Sequence, residues 1–236
     1  MYYGWRGKIG LISPATSPSI ENDFNRFAPE GVATLTTRIL LESVDEKGLG
    51  AMEERVTEAA KVLATAKPDL IVFGCTSGSL IKGHGYDQKL IHQMEEVSGV
   101  PCITTTTAVT AALEAMNAKK VAISTPYCDA VNEIEKKFLE DSGYEVTEIQ
   151  GLGITDSCRI PTVNVDDIYR ITRSLERSKA DTVFVSCTGL CFLKDVPLIE
   201  RDMKKQTITS VQATLWYALR RMGIQDDLGL GQLFEK

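Results

Sequence analysis

PDLIVFGCTSGS (Pro68–Ser79) and ADTVFVSCTGL (Ala180–Leu190) read as two copies of one unit. Each is a run of apolar and β-branched residues that ends on Cys-Thr and passes into small residues and Gly. A parallel strand buried on both faces is written this way, and its abrupt end marks the point where the chain turns towards a helix. The two cysteines, Cys75 and Cys187, lie 112 residues apart. The same interval of 112 separates Lys8-Ile9-Gly10-Leu11-Ile12-Ser13 from Lys120-Val121-Ala122-Ile123-Ser124-Thr125. Two landmarks with one offset indicate a duplicated lobe.

Outward from these strands, apolar periodicities alternate between strand and helix. Strands are expected at Lys8–Ser13, Val32–Leu41, the Cys75 run and Pro101–Thr106, and again at Lys120–Thr125, Glu145–Gln150, the Cys187 run and Thr207–Ser210. Helices are expected at Glu21–Phe27, Gly48–Ala66, within Leu80–Val97 and at Ala108–Asn117 in the first half. The second half supplies Asp129–Ser142, Val165–Ser178, Val196–Lys204 and Gln212–Met222. The Gly-rich tail, Gly223–Lys236, is expected on the surface. Alternation of this kind means α/β with parallel sheets, in which ligands bind beyond the carboxyl ends of strands. Cys75, Cys187, Pro14 and Pro126-Tyr127 all fall at such ends, so two lobes related by a pseudo-twofold would face them across a cleft.

The totals restrict the function. With 236 residues, 43% apolar and 25% charged, the chain has the composition of a soluble globular protein. A net charge of −6 without a basic stripe argues against a nucleic-acid partner or an anionic membrane surface. No apolar run is long enough to span a bilayer and no signal core precedes the first strand, so the expected compartment is the cytoplasm. The six cysteines are expected reduced there. Cys187 and Cys191, the one close pair, lack a second Cys or His pair to complete a metal site, so no metal or other cofactor is expected.

Most strand-end cysteines are inert buried hydrophobes, and Cys102, Cys128, Cys158 and Cys191 are read so. Cys75 and Cys187 differ, because each precedes residues whose amides would open a helix. That setting lowers a thiol pKa and cradles an anion, so a carboxylate could be held by amides and by the hydroxyls of Thr76, Ser77 and Thr188 without Arg or Lys. Two thiols on opposite sides of one carbon permit racemisation by proton exchange, or cis–trans isomerisation by thiolate addition, rotation and elimination. One thiol alone permits decarboxylation of a malonate followed by protonation. All three need an enolate-like species stabilised by preorganised donors.

The motifs GKIGLISP, CTSGS, VPCITTTTAV, LGI (Leu152–Ile154), TPYCDAVNE, VSCTGL and GLGQLFEK resemble the aspartate/glutamate racemase superfamily, in its maleate cis–trans isomerase and arylmalonate decarboxylase branch. The resemblance spans nearly the whole chain and lacks the Asp-Ser, Cys-Asn-Thr and Cys-Thr-His hallmarks of glutamate racemases. It implies two flavodoxin-like lobes, residues 1–115 plus 212–236 and residues 116–211, with the site between them. By resemblance Cys75 and Cys187 are the catalytic pair, and Thr76, Ser77 and Tyr127 bind carboxylate oxygens with the amides near Thr188 and Gly189, beside Pro14. Similar decarboxylases carry Gly where this chain has Cys75, which favours an isomerase or racemase. Similar maleate isomerases carry carboxylate-binding Asn where Ser17 and Ser157 stand, which counts against maleate itself.

The expected function is thus a cofactor-independent, two-cysteine isomerase of a small carboxylic or dicarboxylic acid. The alternatives are an arylmalonate-type decarboxylase using Cys187 as proton donor, and a non-catalytic carboxylate-binding protein. A homo-oligomer is compatible with all three.

Overall fold

A computed structural model of the chain describes residues 1–41 and 43–236. The first half runs β1 (Gly7–Pro14), α1 (Pro18–Phe27), β2 (Val32–Ile39), α2 (Glu46–Gly50), α3 (Glu53–Ala64), β3 (Leu70–Phe73), α4 (Thr76–Leu80), α5 (Tyr86–Ser98), β4 (Cys102–Thr104) and α6 (Thr105–Ala115). The second runs β5 (Lys120–Thr125), α7 (Asp129–Asp141), β6 (Glu145–Gly151), α8 (Val165–Ser174), β7 (Thr182–Val185), α9 (Val196–Met203), β8 (Gln206–Thr209) and α10 (Ser210–Arg221).

The strands form two four-stranded parallel sheets of identical order, β2-β1-β3-β4 and β6-β5-β7-β8. The register repeats as well. Ile9 pairs with Leu70, and Val121 pairs with Thr182, each residue 112 positions after its counterpart. In this order the chain leaves β1 and β3, or β5 and β7, towards opposite faces of the sheet. The crevice between those two strand ends is where α/β sheets bind ligands. β3 and β7 are buried at every residue, as their unbroken apolar runs require.

Two buried clusters form the core, and each takes residues from both halves. Phe73 and Cys75 share one with Tyr127 and Val185, and Leu11 and Val72 share the other with Ile123 and Phe184. α10 packs on α6, where the Thr214 hydroxyl donates to Thr105 Oγ1 at 3.2 Å.

Several expected elements are redrawn by local chemistry. The helix expected over Gly48–Ala66 is two helices separated at Ala51–Met52. The strand expected to Leu41 ends at Ile39, and Leu41 turns into the interior at 5% exposure. α4 begins directly after Cys75, and positive φ angles at Gly83 and Gly85 divide it from α5. The strand expected over Pro101–Thr106 stops at Thr104, because the Thr104 hydroxyl accepts from the Thr107 amide and caps α6. α8 ends at Ser174 rather than Ser178, and a 3-10 turn covers Leu175–Arg177. The tail is not a surface segment. Leu230, Leu233 and Phe234 are buried, and the carboxylate of Glu200 takes the Gln232 amide at 3.1 Å. Among the described residues no helix is long and apolar enough to cross a membrane.

Candidate active site

One narrow cavity, of about 20 Å3, gathers the ends of β1, β3, β5 and β7. Its wall contains every residue singled out in the sequence: Pro14, Ser17, Cys75, Thr76, Ser77, Tyr127, Ser157, Cys187, Thr188 and Gly189. Thr16, Leu41, Val44, Ile160 and Pro161 complete it. Those last residues come from loops and a 3-10 turn (Ser157–Thr162), which carry no strand or helix period to flag them. Among the described residues the wall holds no Lys, Arg, His, Asp or Glu.

The two thiols are held in parallel fashion. The Gly78 amide donates to Cys75 Sγ at 3.3 Å, and the Gly189 amide donates to Cys187 Sγ at 3.3 Å. Their backbones differ. Cys75 is extended (φ −143°) and caps α4, whereas Cys187 has φ +104° and leads into a turn. The helix expected directly after the second thiol is therefore absent, and a 3-10 turn begins only at Leu193. The other non-glycine residues recorded with positive φ, Lys67, Asn117 and Lys204, lie between 51° and 55°, in the ordinary left-handed basin. Cys187 lies outside it, a conformation worth about 1–3 kcal/mol of strain.

Each Cys-Thr unit is tied to the other. Thr188 Oγ1 donates to the Gly74 carbonyl at 3.0 Å, directly before Cys75. Thr76 Oγ1 donates to Ser210 Oγ at 2.9 Å, and that oxygen accepts the Cys187 amide, also at 2.9 Å. The two threonine hydroxyls thus spend their protons on joining the lobes, and only their amides remain as anion donors. Ser157 likewise donates to the Leu41 carbonyl at 3.4 Å. Ser210 is a site-supporting residue that the sequence reading passed over. Its signal was the similarity of Ile208-Thr209-Ser210 to Ile103-Thr104-Thr105, each ending a strand on a capping Thr.

Two hydroxyls in the wall remain unspent. Ser17 Oγ and Tyr127 OH are buried without a hydrogen-bond partner among the described residues. Ser17 stands at the N-cap of α1 yet makes no capping bond. Leaving buried donors unpaired costs about 1–3 kcal/mol each unless a ligand takes them. Burial first, then the neighbouring thiols and Glu135, hold the Tyr127 phenol well above its usual pKa, so it remains a donor.

The thiols depart from the expected lowered pKa. Burial pushes Cys75 up to about 11, against the opposing effect of the Gly78 amide and the Ser77 hydroxyl. Burial pushes Cys187 up to about 12, against the Gly189 amide, and the Cys75 thiol and Glu135 add to the rise. One amide contact per sulfur does not offset the loss of water. Both thiols therefore rest protonated at neutral pH.

Gly189 is needed for its lack of a side chain. A Cβ there would lie 2.8 Å from Ile160 Cγ2, 3.3 Å from Ser17 Oγ and 3.4 Å from Cys187 Sγ. Gly189→Ala is expected to lower kcat/KM about ten- to a hundredfold, the equivalent of about 1–3 kcal/mol of overpacking in the cavity. Steady-state kinetics on a folded variant check this, and an unchanged kcat/KM would show that the cavity wall yields freely.

The model of the arylmalonate decarboxylase family matches residues 9–234. The chain belongs to that family. It is an enzyme of the branch of the aspartate/glutamate racemase-like superfamily that contains arylmalonate decarboxylases and maleate isomerases. Arylmalonate decarboxylase of Bordetella bronchiseptica is 30% identical over 234 residues, covering 97% of this chain and 96% of the relative. Maleate isomerase of Pseudomonas putida is 23% identical over 231 residues, covering 92% of each. In fold, the chain matches a cysteine-to-serine variant of Nocardia farcinica maleate cis–trans isomerase that holds a covalently bound succinylcysteine intermediate. The TM-score is 0.92 at 22% identity, over 97% of this chain and 98% of the other.

Proposed function

We propose that the enzyme is a cofactor-independent isomerase of a small carboxylic or dicarboxylic acid, with Cys75 as nucleophile or base and Cys187 as the opposing acid. The observation that carries this reading is two strand-end thiols, at equivalent places in the two sheets, opening into one cavity. A carboxylate would be bound by Ser17 Oγ, Tyr127 OH and the amides at the start of α4, which have no partner within the helix. Leu41, Val44, Ile160 and Pro161 give the wall apolar surface, which suits an acid bearing an apolar substituent. The lobes are assigned as residues 1–115 with 212–236, and residues 116–211, supported by the packing of α10 on α6.

In isomerisation the Cys75 thiolate adds to the carbon–carbon double bond, and the displaced π pair passes into the carboxylate as an enediolate. Tyr127 and Ser17 stabilise that charge, and Cys187 delivers its proton to the adjacent carbon. Rotation about the new single bond is followed by return of that proton to the Cys187 thiolate, and the carbon–sulfur bond breaks. In racemisation one sulfur removes the α-proton and the other returns one to the opposite face.

The decarboxylase reading stands beside this one, on the strength of the family model and the Bordetella relative. There the malonate carbon–carbon bond breaks, its electron pair remains as an enediolate, carbon dioxide leaves, and Cys187 protonates the carbon. Proton NMR in deuterium oxide with maleate, chiral 2-substituted acids and disubstituted malonates tests the two together. Isomerised product or α-deuterium exchange supports the first. Deuterated monoacid from a malonate, with neither of those, replaces it with the second.

The pH profile separates them independently. A resting Cys75 thiol at about 11 makes the thiolate fraction grow about tenfold per pH unit below that value. The isomerase reading expects kcat/KM to climb accordingly between about pH 7 and 9, whereas decarboxylation, which needs only protonated Cys187, expects a flat profile.

A further inference from the structure

Glu135 lies on α7 with 1% of its surface exposed. Its Oε1 accepts from Ser186 Oγ at 2.6 Å, and Ser186 is the fully buried residue directly before Cys187. Its Oε2 has no hydrogen-bond partner among the described residues, and no recorded salt bridge involves it. A buried carboxyl so placed is costly to the fold, and neither mechanism above uses it.

We propose that Glu135 is a positioning residue for Cys187: its carboxylate, seated by Ser186, biases that sulfur to keep its proton and so favours it over Cys75 as the acid. The inference rests on the reading of Cys187 as proton donor. The first lobe supplies the contrast. The residue 112 positions before Glu135 is Asp23, on α1, a carboxyl that burial also pushes up, to about 6, but the residue 112 before Ser186 is Gly74, which has no hydroxyl to tie a carboxyl to the thiol strand. Burial is the main cause that opposes ionisation of Cys187 and Tyr127, and the Glu135 charge adds to it at both, whereas the causes that act on Cys75 are burial, the Gly78 amide and Ser77. The Glu135 carboxylate thus acts on one thiol of the pair.

The ring of His84 packs 5.9 Å from Phe138 of α7, and among the described residues no Lys, Arg or His is ion-paired with Glu135. α4, packed against α7, carries no ionisable side chain over Thr76–Leu80. On β6, Glu145 is paired with Lys120 and Glu148 accepts from Gln150. Glu135 itself is pushed up to about 7 by burial, with the Ser186 hydrogen bond opposing, so the bias switches on as pH rises through neutrality.

The test is site-resolved alkylation by iodoacetamide, with peptide fragmentation to separate Cys187 from Cys191. Glu135→Gln retains an acceptor for Ser186 and removes the charge. It is expected to speed Cys187 alkylation about tenfold near pH 9, one pKa unit in thiolate fraction, and to leave Cys75 unchanged. Ser186→Ala removes the bond that favours the charged carboxyl, and is expected to act in the same direction near neutral pH. Unchanged Cys187 reactivity in a folded Glu135→Gln protein overturns the proposal. So does equal acceleration at both thiols, which would report a loosened cavity. If Glu135→Gln fails to fold, Ser186→Ala decides by the same criteria. Alkylation needs no substrate, so an enzyme inactive on every acid tried would sink the functional reading and leave this coupling standing.

Discussion

Cys187→Ala is expected to lower kcat by about a hundred- to ten-thousandfold on any acid the enzyme turns over, the range that a positioned proton donor contributes. Both the isomerase and the decarboxylase readings deliver a proton from this sulfur, so the result does not depend on choosing between them. Among the described residues the cavity wall offers no His, Lys, Asp or Glu as a substitute. Tyr127, held far above its usual pKa by burial and the neighbouring thiols, is too weak an acid to take over. Cys191, exposed and bonded to Ser19 at 3.1 Å, serves as the control, and Cys191→Ala should retain full turnover.

Backbone strain gives the same site a second readout. Glycine adopts φ +104° without the steric penalty a side chain incurs, so a residue selected for stability there would be glycine. Cys187→Gly is expected to abolish turnover while leaving stability within about 1 kcal/mol of the parent or above it, measured by urea unfolding. A variant that loses several kcal/mol instead would mean that the thiol is kept for packing.

The doubled architecture was legible because β3 and β7 are buried on both faces, so their sequences hold nothing but the strand signal and its Cys-Thr end. The wall residues beside those ends were legible as motifs for the same reason: each directly follows a strand. What escaped was set by tertiary packing. Leu41, Val44 and Ile160 reach the cavity from loops, where an apolar residue is indistinguishable from one covering any other patch. The depressed thiol pKa expected from helix N-termini fails because depth of burial is invisible in a motif, and burial dominates at both sulfurs. Glu135 left a trace that can be read afterwards. It sits on the buried stripe Val131, Glu135, Phe138 and Leu139 of α7, a charged residue at an apolar position of the helix.

Cys75→Ala divides the two chemistries more sharply than any substrate screen. If Cys75 attacks or takes the first proton, its removal takes away the covalent or basic step, and isomerisation or racemisation should fall by about a thousandfold or more. Decarboxylation requires only that carbon dioxide leave and that Cys187 protonate one face, so that activity should persist within about tenfold of the parent. The cavity is expected to survive the change. The Gly78 amide loses its thiol acceptor at 3.3 Å, yet Thr76 still donates to Ser210 and Thr188 to the Gly74 carbonyl, so the junction between the lobes keeps its hydrogen bonds. Losing the sulfur also opens space beside Phe73 and Gly78, which favours an acid with a bulkier substituent on that side. Retained malonate decarboxylation with no isomerase activity in the parent would assign the reaction to Cys187 alone. Cys75 would then be a second thiol that the symmetry of the fold places in the cavity and the chemistry leaves idle.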